Sequence, residues 1–401
     1  MSIAARFLVT AIVWVSANAV PTSLQAADWP QWRGPDESGI ARETVSPISD
    51  IDFVWKSEVG KGFSGVSVAD GLAYTMGSNG EEETVWCFDA NTGEVRWQDS
   101  YPAALMPNLH EGGPGSTPTI DGDHLFTLSK DGLASCYDAK SGKRIWQTKL
   151  GSPPEWGFAG SPYLFGTEEV LFEAGATISL NRRDGRRIWA SSPFKPGYGS
   201  PIAFDFAGKS RIAVLKNDDL AILDPQGKTI ATSPWKTAFA TNATTPIVHG
   251  DLIFLSTGYA RGCALLRFDG TRLEEVYQNQ SMSNHMNNSV LIDGYLYGFD
   301  GTAHRGPSTQ FACVEFATGE VQWKEGGLGC GGVIADNDGT LIILSERGEL
   351  VLAKASPEAF EPETREQIVG GRCWTAPVLA NGKVYARNAS GDLVCVSLQA
   401  N

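Results

Sequence analysis

The chain has 401 residues, of which 42 % are hydrophobic and 19 % are charged, and this composition excludes an intrinsically disordered protein. Its 32 basic and 46 acidic side chains give a formal net charge of −14. Because lysine and arginine form no cluster in this acidic sequence, we expect neither nucleic-acid binding nor a polybasic membrane anchor.

Residues 1–26 have the pattern of a cleaved signal peptide. Arg6 precedes an apolar run from Phe7 to Val15, and small residues follow up to Ala26. This run is short for a membrane span, although an uncleaved anchor stays open as the alternative. No later stretch is apolar over the length that a membrane-spanning helix needs. The sequence therefore predicts a periplasmic or secreted protein without stable membrane insertion.

A short motif recurs along the remaining chain and marks an internal repeat. Each copy starts with small residues, often followed by proline, and continues as an alternating strand that ends at a glycine turn. The eight copies begin at Gly65, Gly115-Ser116-Thr117-Pro118, Gly160-Ser161-Pro162, Gly199-Ser200-Pro201, Thr244-Thr245-Pro246, Asn288-Ser289-Val290, Gly331-Gly332-Val333 and Thr375-Ala376-Pro377. A period of about 45 residues is typical of a four-stranded propeller blade. The sequence therefore predicts an all-β fold, an eight-bladed β-propeller of four-stranded antiparallel blades.

A second element of the repeat combines a turn with a tryptophan. An acidic or amide residue starts a turn, glycine takes the positive φ that the turn needs, and tryptophan follows four residues later. The element occurs as Asp89…Gly93…Trp97, Asp138…Gly142…Trp146, Asn181…Gly185…Trp189 and Glu315…Gly319…Trp323. We expect each tryptophan to fill the wedge between neighbouring blades.

The two ends of the chain are predicted to close the ring. The last copy lacks a fourth strand, and the segment Phe53–Ser57 has the pattern of a fourth strand without a blade of its own. We expect it to pair with Leu393–Ser397, which would leave no free sheet edge between first and last blades. Residues 51–401 then form a single propeller. Residues 27–50 form an N-terminal extension, which we expect to pack across the outside with Trp29 and Trp32 as anchors.

The turn–tryptophan element resembles the docking repeat of PQQ-type eight-bladed propellers. That superfamily includes the quinoprotein alcohol dehydrogenases and the outer-membrane assembly lipoprotein of the Bam complex. The chain is most similar to exported PQQ-like repeat proteins labelled polyvinyl-alcohol-dehydrogenase-like. The matching segments are Asp28-Trp29-Pro30-Gln31-Trp32-Arg33-Gly34-Pro35 and residues 256–266, 293–299, 344–350 and 373–377. Propellers of this kind include both enzymes and binding platforms, so the resemblance indicates the fold more strongly than the activity.

The resemblance leaves two functions open. Quinoprotein dehydrogenases carry a disulfide between adjacent cysteines, a catalytic aspartate and a Ca²⁺ held by glutamate and asparagine. This sequence has no Cys-Cys pair, and no catalytic residue can be assigned by the resemblance. We therefore expect no cofactor and favour a non-enzymatic scaffold that binds a ligand or a protein. The alternative is a PQQ-dependent alcohol dehydrogenase with PQQ and Ca²⁺.

The cysteines and histidines show no metal-site spacing. Cys87, Cys136, Cys313 and Cys395 share one third-strand position, where a small buried residue is expected. Cys330 and Cys373 precede the innermost strands of the last two blades, and a disulfide between them stays open. No histidine has the spacing of a zinc site, so no metal is predicted.

The predicted ligand site is one mouth of the central channel, where the connections between blades meet. Aromatic and amide side chains on these connections could stack on, and hydrogen-bond to, a small polar organic ligand or a loop of a protein partner. The alternative is loop packing that plugs the channel. The candidate residues are His110, Trp156, Asn242, Asn284, His285, Asn287, Asn288 and Trp374.

Overall fold

The computed structural model describes residues 27–105, 110–303 and 308–400. These residues form eight four-stranded antiparallel sheets, so the predicted eight-bladed β-propeller is confirmed. The predicted signal peptide, residues 1–26, lies outside the described residues. Within them, we find no helical segment with the length and hydropathy to cross a bilayer.

The first four blades follow the chain from the innermost to the outermost strand. Strand β1 (Ser49–Glu58) precedes them and belongs to the last blade. Blade 1 contains β2 (Ser67–Ala69), β3 (Leu72–Ser78), β4 (Glu82–Asp89) and β5 (Val95–Pro102). Blade 2 contains β6 (Thr119–Asp121), β7 (His124–Leu128), β8 (Leu133–Asp138) and β9 (Arg144–Lys149). Blade 3 contains β10 (Tyr163–Phe165), β11 (Glu169–Ala174), β12 (Ala176–Asn181) and β13 (Arg187–Ala190). Blade 4 contains β14 (Ile202–Phe206), β15 (Lys209–Leu215), β16 (Asp219–Leu223) and β17 (Thr229–Pro234).

The last four blades continue in the same order. Blade 5 contains β18 (Ile247–His249), β19 (Leu252–Thr257), β20 (Gly262–Phe268) and β21 (Leu273–Asn279). Blade 6 contains β22 (Val290–Ile292), β23 (Tyr295–Asp300), β24 (Gln310–Glu315) and β25 (Val321–Glu325). Blade 7 contains β26 (Gly332–Ala335), β27 (Thr340–Leu344), β28 (Glu349–Lys354) and β29 (Pro362–Gln367). Blade 8 contains β30 (Val378–Ala380), β31 (Lys383–Arg387), β32 (Asp392–Ala400) and, outermost, β1.

The ring closes as the sequence predicts. Strand β1 pairs antiparallel with β32, with Phe53 opposite Val396 and Ser57 opposite Leu393. The first strand of the propeller and the last therefore share one blade, and this pairing joins the two ends of the chain.

The tryptophans dock neighbouring blades as predicted. The indole Nε1 of Trp97 in blade 1 donates to the carbonyl of Ala139 in blade 2 at 2.7 Å. Its ring covers Gly142 so closely that a Cβ there would lie 2.5 Å from the ring. Trp146 makes the same contact with Gly185, where a Cβ would lie 2.6 Å from the ring. The glycine of each turn is therefore required both for its positive φ and for the tryptophan of the preceding blade.

A β-bulge interrupts the outermost strand of every blade, one residue before the docking position. In blade 1, Cys87 pairs with Trp97 and Phe88 pairs with Val95, which leaves Arg96 unpaired. The bulged residues are Val54, Arg96, Ile145, Ile188, Ile230, Val276, Gln322 and Glu363. Bulges bend and twist a strand and protect sheet edges from further pairing. They also set the direction in which the next side chain, usually tryptophan, leaves the sheet.

All seven cysteines lie within the described part of the chain and are free thiols. The predicted shared position is confirmed, because Cys87 lies between Tyr74 and Trp97 across the blade and Cys395 lies between Tyr385 and Trp55. Burial raises the pKa of Cys87 to about 12, so this thiol is protonated and unreactive at neutral pH. The disulfide left open between Cys330 and Cys373 is not formed.

The prediction that the N-terminal extension packs across the outside is wrong, because it plugs one end of the central channel. Trp29 forms a bridge with Val68 on β2, and Ile40 forms one with Ala335 on β26. Both partners lie on innermost strands, whose inward edges have no neighbouring strand. The extension supplies hydrogen-bond partners to these edges, which an outside position would not do.

Arg33 ties the plug to blade 6. Its guanidinium donates to the backbone carbonyls of Glu37, Ser38 and Ser289, at 2.8, 2.8 and 3.1 Å. Burial lowers the pKa of Arg33 to about 10, and the side chain is still charged at neutral pH. Through Ser289 on the connection into blade 6, the plug is held to a third blade besides blades 1 and 7.

Glu83 is a fully buried acid between blades 1 and 2. Its carboxylate accepts hydrogen bonds from the Tyr101 hydroxyl at 3.1 Å and from the backbone N–H of Lys130 at 3.3 Å. Burial nevertheless raises the pKa of Glu83 from 4.5 to about 7, against the opposing effects of these bonds and the Lys130 charge.

We expect Glu83→Gln to change the pH dependence of stability. Between about pH 5 and pH 7 the folded protein keeps a proton on Glu83 that the unfolded chain releases, so stability falls as the pH rises. This contribution amounts to about 3 kcal/mol. From pH 5 to pH 8, the free energy of unfolding in urea should therefore fall by about this amount in the unmodified protein, while in Glu83→Gln this fall should be absent. The exposed Glu81, changed to Gln, is the control, and equal shifts for both variants would contradict the assignment.

Candidate functional site

The channel end opposite the plug opens into a cavity of about 180 Å³, which we call the cup. Its walls come mainly from the connections between blades, where the channel mouth was predicted, and Tyr259 is added from the hairpin between β19 and β20 of blade 5. We divide its lining into four parts. The aromatic half contains Trp374, Phe63, His110 and Trp156, and the hydroxyl half contains Ser161, Ser200 and Thr245. Trp32 forms the floor, and the remaining rim includes Tyr198, Tyr259, His285 and Met286.

The aromatic half is one continuous series of ring contacts. Phe63 stacks on Trp374 with the ring centroids 5.8 Å apart, and it meets His110 edge-on at 5.2 Å. His110 in turn lies 5.1 Å from Trp156. These residues come from four successive connections around the ring, so the series exists only in the closed propeller.

Trp374 is held rigidly from behind. Its indole N–H donates to Glu346 at 2.9 Å, and the guanidinium of Arg372 lies 4.5 Å from the ring centre. Arg372 also forms a 2.9 Å ion pair with Glu111. Both carboxylates and the cation are therefore engaged with the indole or with each other, and none of the three lines the cup.

The hydroxyl half comes from the repeated Ser/Thr-Pro motif. The Ser161 hydroxyl accepts a bond from the Thr117 backbone N–H at 3.0 Å, and the Ser200 hydroxyl accepts one from the Ser161 N–H at 2.8 Å. The Thr245 hydroxyl accepts the indole N–H of Trp32 at 3.1 Å. The motif thus links the starts of neighbouring innermost strands and also places hydroxyl groups at the bottom of the cup.

The two histidines of the cup each accept a backbone hydrogen bond. His110 Nδ1 accepts from Gly112 and His285 Nδ1 accepts from Ala303, both at 3.1 Å. A nitrogen that accepts carries no proton, so in this arrangement both rings are neutral. Burial lowers the pKa of His110, with the Arg372 charge acting in the same direction and Glu111 opposing them. The cup is therefore uncharged at neutral pH.

The comparisons with known proteins agree with this architecture. A family model described as "Outer membrane protein assembly factor BamB" matches residues 81–325. The chain belongs to this family. The family expected from the turn–tryptophan repeat is therefore confirmed.

The curated relatives of this BamB family member carry two different names. The outer membrane protein assembly factor BamB of Burkholderia pseudomallei is 28 % identical over 149 residues, which is 36 % of this chain and 34 % of the relative. Polyvinylalcohol dehydrogenase of Sphingopyxis sp. is 26 % identical over 202 residues, which is 43 % of this chain and 30 % of the relative. The chain thus spans about a third of the length of these two relatives. BamB of Yersinia pestis is 21 % identical over 310 residues, which is 69 % of this chain and 72 % of the relative.

Solved structures show the same fold. BamB from Moraxella catarrhalis has a TM-score of 0.63 at 14 % identity and covers 88 % of this chain and 99 % of its own. Quinohemoprotein alcohol dehydrogenase from Comamonas testosteroni has a TM-score of 0.67 at 12 % identity and covers 95 % of this chain and 81 % of its own. BamB and a quinohemoprotein alcohol dehydrogenase therefore share this propeller, and the fold alone does not indicate the activity.

Five of the eight predicted site residues of this BamB family member meet at the cup. They are His110, Trp156, His285, Asn287 and Trp374. Asn287 lines the wall, but its amide donates to the carbonyls of Gly331 and Trp374, both at 2.8 Å.

The other three predicted residues are used inside the scaffold and do not line the cup. The Asn242 amide donates to the carbonyls of Lys216, Asn217 and Trp235. Asn284 donates to the Phe299 carbonyl at 3.0 Å. Asn288 occupies in blade 6 the repeat position that Thr245 occupies in blade 5. Its side-chain oxygen accepts a hydrogen bond from the backbone N–H of Thr245 at 3.1 Å.

Sequence reasoning did not select several cup residues. Phe63 lies four residues before the innermost strand of blade 1, as Trp374 does in blade 8, and this alignment could have identified it. Ser161, Ser200 and Thr245 were recognised only as parts of the repeat. Trp32 was placed outside the ring, and no local signal in the sequence marks it as the floor.

The described cup residues do not fit PQQ with Ca²⁺. PQQ carries several carboxylates, and its Ca²⁺ needs oxygen ligands such as Asp or Glu. The described lining contains no Asp, Glu, Lys or Arg. Nowhere among the described residues do three His, Cys, Asp or Glu side chains come together in a way that could hold a metal ion. We therefore derive no chemical step through this cofactor.

Proposed function

We propose that this protein is an exported, non-enzymatic scaffold that binds a partner protein at the end of the propeller that carries the cup. Its export and periplasmic location rest on the signal-peptide pattern of residues 1–26. Membership of the BamB family, which includes relatives named as assembly factors, supports a protein partner. The uncharged cup supports binding in preference to redox chemistry with PQQ.

The rim of the cup between blades 4 and 5 carries this proposal. Phe239 is 60 % exposed and lies 4.7 Å from the ring of Tyr259, which lines the cup. Ala240, Tyr259 and Ala260 have positive φ angles of 55°, 58° and 54°. Such angles are uncommon for Ala and Tyr, and backbone held against local preference clusters at functional sites. An exposed aromatic ring on a strained rim is suited to contact with a partner.

We expect Phe239→Ala and Trp156→Ala to weaken partner binding at least 10-fold. Both side chains offer ring surface to a bound partner, and aromatic anchors dominate interface energies. Because Phe239 is exposed and Trp156 half-buried, the free energy of unfolding should change by less than about 1 kcal/mol. A photo-crosslinking amino acid at position 239 first identifies the partner in cells. Calorimetry with the purified partner then measures the affinity.

Val276 supplies the matched control, because it is 45 % exposed on the outermost strand of blade 5, away from the cup. A crosslinker at this position, or Val276→Ala, should leave the complex unaffected. Equal loss for all three variants would contradict the proposed surface. If position 239 crosslinks to no protein, and the purified protein reduces a dye in the presence of alcohol once PQQ and Ca²⁺ are added, the dehydrogenase alternative is correct.

Trp374 and His285 are less suitable as probes than the sequence suggests. Each is only 5 % exposed, and each is hydrogen-bonded from behind as described above. We expect alanine at either position to reduce stability as well as binding, so a loss of binding must be expressed per folded molecule.

A further inference from the structure

We infer that the cup is a binding site for a neutral saccharide ring. This inference and the proposed partner surface share one residue, Trp156, so the test below uses Ser161, which belongs to the cup alone. The cup has two chemically different halves, a closed floor and no charged lining among its described residues, and each feature restricts the ligand.

The aromatic half favours a ligand with a flat, partly apolar face. Phe63, His110 and Trp156 are half-buried, so their rings are accessible from the cup. A sugar ring offers C–H groups on its face and hydroxyl groups at its edge. It can therefore stack on an aromatic surface while its edge stays polar.

The hydroxyl half favours a ligand whose oxygens can accept hydrogen bonds. Ser161, Ser200 and Thr245 each use their oxygen to accept an N–H bond, so each retains a hydroxyl proton to donate. Among the described residues, no acceptor receives any of these protons. The groups come from blades 3, 4 and 5, across the channel from most of the aromatic half. A ligand stacked on one half would thus present its oxygens to the other.

Charge and size restrict the ligand further. The described lining contains no charged side chain, so a phosphate or a carboxylate would lose its hydration without gaining a counter-charge. A cavity of about 180 Å³ has the volume of about six water molecules. This is the bulk of about one sugar ring, and a second ring would extend through the open mouth. Trp32 covers the floor, so the ligand enters and leaves by the open mouth.

The test is titration of the purified protein with neutral sugars. The probes are glucose, N-acetylglucosamine, cellobiose and chitobiose, followed by tryptophan fluorescence and saturation-transfer NMR. We expect at least one to bind in a saturable manner. Ser161→Ala should weaken that binding about 10-fold, the effect of losing one hydrogen bond of about 1.4 kcal/mol.

Thr117→Ala is the matched control. Thr117 occupies the same repeat position in blade 2 and accepts the Gly65 backbone N–H at 3.1 Å, but it does not line the cup. Both variants lose an equivalent bond between blades, so their unfolding free energies should fall alike, while only Ser161→Ala loses sugar affinity. Failure of all four sugars to bind overturns the inference, as does equal loss of affinity in both variants. Binding of p-nitrophenol alone, unaffected by Ser161→Ala, would assign the cup to flat apolar ligands instead. None of these outcomes alters crosslinking from position 239.

Discussion

Replacing Lys216 by methionine is expected to lower the free energy of unfolding by about 3–5 kcal/mol. Lys216 follows β15 in blade 4, and its ammonium group forms an ion pair with Glu173 on β11 of blade 3. Both side chains are fully shielded from solvent, and Thr177 also bonds to each of them. Methionine keeps the volume of the side chain but leaves a buried carboxylate without its cation, which is the costly state of such a pair. Urea unfolding at pH 7, followed by tryptophan fluorescence, measures the loss.

The double variant Glu173→Gln with Lys216→Met isolates the electrostatic part of this effect. It removes both charges at once, so we expect it to lose less than half of what Lys216→Met loses. If the double variant is as unstable as the single one, packing of the Lys216 side chain is the cause and the ion pair is not. The pair joins the second strands of two blades, so its loss should also loosen the contact between blades 3 and 4.

Trp29→Ala should cost about 3–5 kcal/mol, the range for removing a buried tryptophan. Trp29 is 2 % exposed and packs in an apolar cluster with Val68 and Val378 of the innermost strands. Its ring also covers Gly34, where a Cβ would lie 3.0 Å away. The substitution would leave a cavity between the plug and blades 1 and 8. The measurement is again the free energy of unfolding in urea.

Trp32→Ala is the matched comparison within the same plug. Trp32 is half-buried and faces the cup, so we expect a loss of only about 1–2 kcal/mol. Sugar affinity per folded molecule should fall in Trp32→Ala and stay unchanged in Trp29→Ala. The opposite result would show that the floor of the cup is not where the structure places it.

The features that repeat along the chain could be predicted from the sequence. Each blade is one hydrogen-bonded unit of consecutive strands, so its turns and its docking tryptophan appear as a local pattern. Trp97 and Gly142 illustrate this, since both belong to the same short element in successive copies. The closing strand was also predictable, because Phe53–Ser57 is a fourth strand and the last copy lacks one.

The tertiary structure decided the β-bulges, the plug and which residues at the channel mouth line the cup or bond inside the scaffold. Trp29 and Trp32 lie in one short motif, yet one is buried against innermost strands and the other faces the cup.

Asn287 and Asn288 are neighbours in the chain, but only the first lines the cup, while the second bonds to Thr245 in the preceding blade.

The sequence by itself therefore determined the blade, the number of blades, the docking contacts and the strand that closes the ring. These depend on residues within one repeat, or on a repeat and its neighbour. Only the tertiary structure decided that the N-terminal segment plugs one end of the channel and that aromatic and hydroxyl groups from different blades line one cup at the other end. Those contacts join residues that are far apart in the chain, such as Phe63 and Trp374, which no local pattern relates and which meet only when the propeller has closed.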